Sequence, residues 1–306
     1  MPLNFPEMWL NRVRLNLTSA DRAPWLDGVE ELDTPVLEVG SGDASESNII
    51  HLPTSAFEPN VLINNTTYPI ALQAYSDNEV VIQLDKYQTE VTTLSDDQIV
   101  GASYRRIDVV TAKHVEAIVK KKYAKALHAF GASADTAATP VNLTTGDNVG
   151  NRKRLVYDDL VALKERLDAQ DAPMEGRRLV LCTEHYNDLL LDRKNFGDRL
   201  VNYTQGQPAP VTAGFQLYWY INAPQYTVAT KVKKAFGSTP AAGDRNASVV
   251  FLLQNAIKKT GMTKQYFAPA AADPQNQTNK LNYRHYFIAL PVQAKHVGAI
   301  VSNVNS

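Results

Sequence analysis

Cys182, Glu184 and His185 lie close together in LVLCTEHYNDLLLD. A cysteine beside a histidine is the raw material of a thiol nucleophile and its base. That chemistry needs the base within hydrogen-bond reach, a third group to orient it and donors for the oxyanion. Cys182 closes the apolar run Leu179-Val180-Leu181, a setting in which cysteine behaves as a small buried hydrophobe. A Cys182/His185 enzyme is therefore the weaker alternative to a core position. As metal ligands, Cys182, Glu184 and His185 lack a second cluster to complete a zinc site. The six histidines, His51, His114, His128, His185, His285 and His296, include no HExxH pair. No GxxxxGK[ST], GxGxxG or GxSxG motif occurs, although Gly40 and Gly42 make a GxG fragment. Asp158 and Asp159 stand near lysine and arginine and read as a solvated helix face. The expectation is a chain with no catalytic, cofactor-binding or metal-ligating residues, and so not an enzyme.

The remaining chemistry is electrostatic. Lys113, Lys120, Lys121, Lys122 and Lys125 share one helical segment. Such a face attracts phosphate without regard to base sequence; alternatively it is a solvated surface balanced by Glu116. The chain as a whole gives no pull toward nucleic acid, because 31 basic residues meet 32 acidic ones for a net charge of -1. One cysteine excludes an internal disulfide framework. No apolar run is long enough for a membrane helix, and no secretory signal pattern opens the sequence.

The elements that would position these groups follow from periodicity. Met8, Trp9, Val13 and Leu17 have helical spacing, but Pro24, Gly28, Pro35, Gly40 and Gly42 then interrupt the chain. Residues 1–46 therefore read as an arm anchored by Trp9 and Trp25. Tyr68, Ile70, Leu72 and Ala74, then Val80, Ile82 and Leu84, alternate with period two and read as strands. A two-stranded ribbon is marginal in water, so residues 47–95 need another surface to lie on. Val115, Ile118, Val119, Tyr123, Leu127 and Phe130 mark a long helix, with Thr111 as its cap and Gly131 at its end. Further on, Val156, Leu160, Leu163 and Leu167 mark a second helix. RRLVLCT reads as a buried strand, and a third helix begins with Thr183 as its cap. VTAGFQLYWYIN reads as a strand, ASVVFLLQNAI as a strand or short helix, AAADPQNQTNKLN as a loop, and YRHYFIAL and KHVGAIVSN as closing strands.

This order of pieces resembles the major capsid proteins of tailed bacteriophages, the HK97-like fold. LINNTTYPIALQ to LDKYQTEVTTLSDDQIVGASYRRIDVV resembles that family's extended loop and its return. TAKHVEAIVKKKYAKALHAF resembles the spine helix. LKERLDAQDAPMEGRRLVLCTEHYNDLLLD resembles its helix, Pro-containing turn, Gly-Arg, strand and helix, and TAGFQLYWYINAP the strand that follows. The resemblance implies an α+β fold with an N-terminal arm (1–46) and an extended β-hairpin loop (47–95). It also implies a peripheral domain with the spine helix (96–149 and 276–306) and an axial domain (150–275). It implies a virion shell protein, assembled in the bacterial host cytoplasm as hexamers and pentamers around double-stranded DNA. A separate scaffolding protein, a portal and a decoration protein are the partners it brings, with no membrane and no cofactor. The lysines named above become DNA-facing candidates. Trp9, Trp25, Tyr68, Ile70, Leu72, Val80, Ile82 and Leu84 become contacts between subunits. An encapsulin-type compartment with protein cargo is the near alternative.

Overall fold

The computed structural model describes residues 22–33, 49–54, 59–75, 78–95, 103–192, 201–202, 207–208, 211–272 and 275–305. Trp9 lies outside them. In the N-terminal half, after a 3-10 turn at Pro24–Leu26, come β1 (Glu30–Glu31), β2 (Ile49–Thr54), β3 (Asn78–Gln83), β4 (Asp85–Gln88) and β5 (Thr92–Ser95). The long helix α1 (Ser103–Phe130) follows, then β6 (Val141–Leu143), β7 (Asn148–Val149), β8 (Arg152–Lys153) and α2 (Tyr157–Asp168). The second half runs through β9 (Arg177–Leu181), α3 (Thr183–Leu191), β10 (Val201–Asn202), β11 (Gln207–Pro208), β12 (Val211–Thr212) and β13 (Phe215–Trp219). It closes with β14 (Gln225–Thr227), β15 (Val232–Lys233), β16 (Asp244–Leu252), β17 (Ala256–Ala268), β18 (Thr278–Pro291) and β19 (Val297–Val301).

Two sheets organise these pieces. One runs β1-β17-β18-β4, with β5 also on β18; the other runs β12-β13-β9-β16-β14-β15, with β19 joining β16 to β6. A division of the chain at residues 150 and 275 therefore cuts across both. Residues 256–268, assigned by sequence to the axial block, pair with β18, whereas 297–301, assigned to the peripheral block, pair with β16. The strands at 85–88 and 92–95, assigned to the loop, also belong to the β18 sheet.

Helix α1 lies on the β17–β18 sheet. Val115 and Ile118 pack with Leu281 and Tyr283, and Tyr123, Leu127 and Phe130 continue into the main core. The helix begins eight residues before the expected cap. Thr111 is interior to it, and its hydroxyl pairs with Tyr283 Oη at 3.3 Å. The missed turns, SYRRIDVV, include the β-branched Ile107, Val109 and Val110 and the aromatic Tyr104, which weaken a helical signal in the sequence. The helix α3 starts one residue earlier than expected, with Cys182 as its cap and Thr183 as its first residue. ASVVFL is strand, buried from Ala247 to Leu252, and a 3-10 turn at Leu253–Asn255 follows it. At the Pro-Gly-Arg turn, Gly176 has φ +79°, a conformation that favours glycine. Arg177 fastens the same turn through the carbonyls of Ala172 and Pro173 at 2.7 and 2.8 Å and the carboxylate of Asp168 at 2.6 Å. Asp159 does not face solvent. It is buried and accepts from the Thr145 backbone and hydroxyl and from Val156 N, tying the start of α2 to the preceding loop.

Several residues expected on a subunit boundary lie in this chain's own core. Trp25 is 0% exposed, with ring centroids 5.7–6.4 Å from those of Tyr123, Phe130, Tyr220 and Phe251, and Arg178 donates to its carbonyl at 2.9 Å. The aromatic residues of α1 and β16 leave a slot that the 3-10 turn at Pro24–Leu26 fills. Ile82 and Leu84 are also buried. The β2–β3 hairpin packs Ile50 and Ile82 with Leu32 and Ile257, with Val80 partly buried against the same cluster. The strands therefore find cover in cis on the β17–β18 sheet.

Candidate functional site

The opening triplet forms a closed polar knot. Cys182 and His185 are fully buried. His185 Nδ1 meets Ser248 Oγ at 2.7 Å, and Nε2 meets Ser302 Oγ at 2.9 Å. Ser248 Oγ also accepts from Cys182 N at 3.1 Å and points its hydroxyl at Sγ. Beside it, Arg152 holds Asp188 through two bonds of 2.6 and 3.0 Å, and Asp188 accepts from Leu155 N. Four elements meet here: β8, α3, β16 and the segment after β19. Burial pushes the Cys182 thiol up to about 11, so it is protonated at neutral pH and is a poor nucleophile. Both histidine nitrogens are spent on serines, leaving no base for substrate. The arrangement fastens the C-terminal strand to the core. Ser248 and Ser302 were not singled out from sequence; the available signal was a serine within the apolar run of β16.

Two consequences are measurable. Cys182 is expected to resist a thiol-specific reagent in the folded protein and to react only at the rate of global opening, so that urea near the unfolding midpoint exposes it in step with loss of helicity. The second concerns acid. Burial pushes His185 down to about 4, aided by Arg152, and pushes His285 down to about 4, aided by Lys122. Unfolded histidines titrate near 6.5, so between 6.5 and 4 the unfolded chain binds more protons than the folded one. Stability falls as pH drops through that window, by up to about 3 kcal/mol for each histidine. Denaturant melts at pH 7 and pH 4.5 read this loss; His185→Gln removes its own share of the slope.

The lysine face divides on inspection. Lys122 is 4% exposed, with its ammonium 4.7 Å from the ring centroids of both Tyr123 and Phe287. It lies four residues after Ile118, on the stripe that faces the sheet, and is no DNA contact. Lys125 reaches back to Asp85 of β4 at 2.6 Å. Lys113, Lys120 and Lys121 face outward, with Lys113 against Glu116 at 2.7 Å. Lys120 and Lys121 border a cleft of about 340 Å³, shared with His128, Ile221, Pro224 and Phe236.

The surface with the most unmet demand is the ribbon at 59–75. The period-two pattern there predicts a strand, but Tyr68, Ile70 and Leu72 belong to no strand pair. The segment is extended, with a turn at Asn64 (φ +54°) and Asn65, whose side chain bonds the Thr67 backbone in both directions. Val61 is 81% exposed, Ile63 85% and Leu72 102%, with Leu62, Tyr68 and Ile70 also exposed. An apolar patch of this kind marks an interaction site. Among the described residues no cluster of metal-ligating side chains occurs, and no helix is long and apolar enough to cross a membrane.

A family model described as "Phage capsid protein" matches residues 77–302. No curated protein matches the chain. Among solved structures, the capsid of a native GTA particle aligns with TM-score 0.62 at 9% identity, covering 92% of this chain and 91% of that one. The mature capsid of bacteriophage PhiM1 aligns at 0.59 and 11% identity, covering 84% and 82%. A virus-like particle from Pyrococcus furiosus aligns at 0.56 and 9% identity, covering 97% and 100%. At these identities the likeness is one of fold.

Proposed function

We propose, on the premise that this chain belongs to the phage capsid protein family and is the structural major protein of an icosahedral shell, that its ribbon is the clasp between copies. The observation that carries this is the run of exposed apolar side chains from Val61 to Leu72 on a segment with no cover of its own. Each copy has a complete core without the ribbon, so the ribbon is free to lie on a neighbour. Tyr68, Ile70 and Leu72 remain in this role. Hexamers and pentamers built from such contacts fit the reading, with a scaffolding protein and a portal as assembly partners in the host cytoplasm. Double-stranded DNA is the content, met without sequence preference by Lys113, Lys120 and Lys121. Expressed subunits examined by negative stain are expected to form closed hollow particles, and particles from infected cells are expected to hold nuclease-resistant DNA. Protein cargo in place of DNA would instead mark a compartment shell of the encapsulin type. Replacing Lys113, Lys120 and Lys121 with glutamine leaves assembly intact and flattens the salt dependence of DNA binding by about 2.7 in log–log slope, or 0.9 per lost phosphate contact. An unchanged slope removes these lysines from the DNA contact.

A further inference from the structure

The turn from Asp171 to Gly176, between α2 and β9, is an exposed knob on a fixed base. Met174 at its tip is 65% exposed, and Asp171, Pro173 and Glu175 around it are exposed as well. The base is tied down. Arg177 is buried and donates to the carbonyls of Ala172 and Pro173, and the Gly176 carbonyl accepts from Leu253 N at 2.8 Å. A methionine held out between two carboxylates adds little to its own subunit. Its unbranched, polarizable side chain suits an irregular apolar gap on another surface.

The cleft beside α1 is a gap of that kind. Ile221 is 65% exposed and Phe236 40%, with Pro224 on the same wall and Lys120 and Lys121 at the rim. Among the described residues no carboxylate lines it. Its walls are set in the single chain: His128 Nε2 donates to the Lys234 carbonyl at 2.7 Å, and its ring stands edge-on to Phe236 with centroids 5.6 Å apart. Knob and cleft therefore match in charge and in apolar content. They do not meet within one chain. Leu252 pairs with Arg177 at the knob's end of β16, whereas Asn246, six residues earlier, lines the cleft; that separation is roughly 20 Å of strand. They also lie on opposite faces of the sheet. Helices α2 and α3 pack on the face of Leu179 and Val250, and α1 packs on the face of Val180 and Phe251.

We infer that the knob of one copy seats in the α1 cleft of the next, with Met174 between Ile221 and Phe236 and with Asp171 and Glu175 turned to the rim lysines. This rests on the shell reading above and deepens it by naming a second contact, separate from the ribbon. Because knob and cleft lie on opposite faces, the contact is heterologous and repeats around a closed ring. Both halves are fixed beforehand, so little ordering opposes it. The grip is apolar. Exposed ion pairs contribute little, so Lys120 and Lys121 select the sign of what approaches, and glutamine in their place leaves the seat of Met174 intact.

The test is a disulfide between copies. Cys182 is fully buried and stays out of the reaction. Shells of a chain carrying both Met174→Cys and Ile221→Cys are expected to give, on oxidation, covalent rings of several chains on a denaturing gel, while each single variant stays monomeric. Met174→Asp alone is expected to leave the melting temperature unchanged and to raise the concentration needed for assembly by about tenfold to a hundredfold. Three results overturn the contact while leaving the shell reading intact: double-variant shells that stay monomeric on oxidation, a dimer from Met174→Cys alone, or Met174→Asp subunits that assemble at the wild-type concentration. Failure of the unaltered chain to form shells defeats both.

Discussion

Subunits with Val61, Ile63, Ile70 and Leu72 all changed to serine are expected to fold normally and fail to assemble. Each of these side chains stands in solvent in the single chain, so its loss there changes stability by no more than about 0.5 kcal/mol per site. Burying such a side chain against a neighbour contributes roughly 1.5–3 kcal/mol. Four of them give about 6–12 kcal/mol per ribbon contact before ordering costs. At about 1.4 kcal/mol per tenfold, the lower figure alone raises the concentration needed for assembly by about four orders of magnitude. Thermal melts and light scattering on the same preparation separate the two effects. A quadruple variant that assembles at the wild-type concentration shows that the ribbon is not the clasp. One that fails to fold shows that the ribbon belongs to the subunit core.

Trp25→Ala is expected to produce the largest loss of subunit stability from one substitution, about 3–5 kcal/mol. The indole sits at 0% exposure where the 3-10 turn, α1 and β16 meet, edge-on to four aromatic rings. Its removal leaves a cavity that Phe130 and Phe251, stacked with centroids 4.4 Å apart, cannot fill without giving up their own contact. Trp25→Phe should cost much less, because Nε1 is buried without an acceptor and phenylalanine removes that orphan donor along with the lost ring area. Urea titrations of the two variants distinguish a packing role from an indole-specific one. If Trp25→Ala leaves the midpoint unchanged, the N-terminal segment is not part of the subunit core.

That result would also bear on how the sequence reads. The long helix was legible because Val115, Ile118, Tyr123, Leu127 and Phe130 keep one stripe through the lysines, and β16 because its run is apolar throughout. The role of Lys122 was not legible. A lysine four residues after Ile118 falls on the buried stripe by spacing alone, but composition favours the solvated face, and the rings of Tyr123 and Phe287 against its ammonium become visible only in the fold. Trp25 misled in the opposite direction. The prolines and glycines around it exclude regular structure, and its shelter comes from residues about a hundred or more positions away, such as Tyr123 and Phe251. The same distance hid the pairing of Ile82 with Ile257. The buried position of Cys182 was legible because LVLC is apolar, and the structure buries both it and His185. Their serine partners, one on β16 and one just past β19, are distant in sequence and could not be paired with them in advance. Strand β17 escaped notice because KKTGMTKQYF alternates polar residues on both faces, as an edge strand with one side in solvent does.

The account rests on a chain whose core closes without the ribbon and whose ribbon then leaves it for a neighbour. A reconstruction of the assembled particle, at a resolution that traces residues 59–75, tests this most directly. The account predicts that the ribbon crosses a subunit boundary and that Val61, Ile63, Ile70 and Leu72 are buried on adjoining copies. A ribbon folded back on its own subunit, or left in solvent while the shell is closed by other contacts, would contradict it.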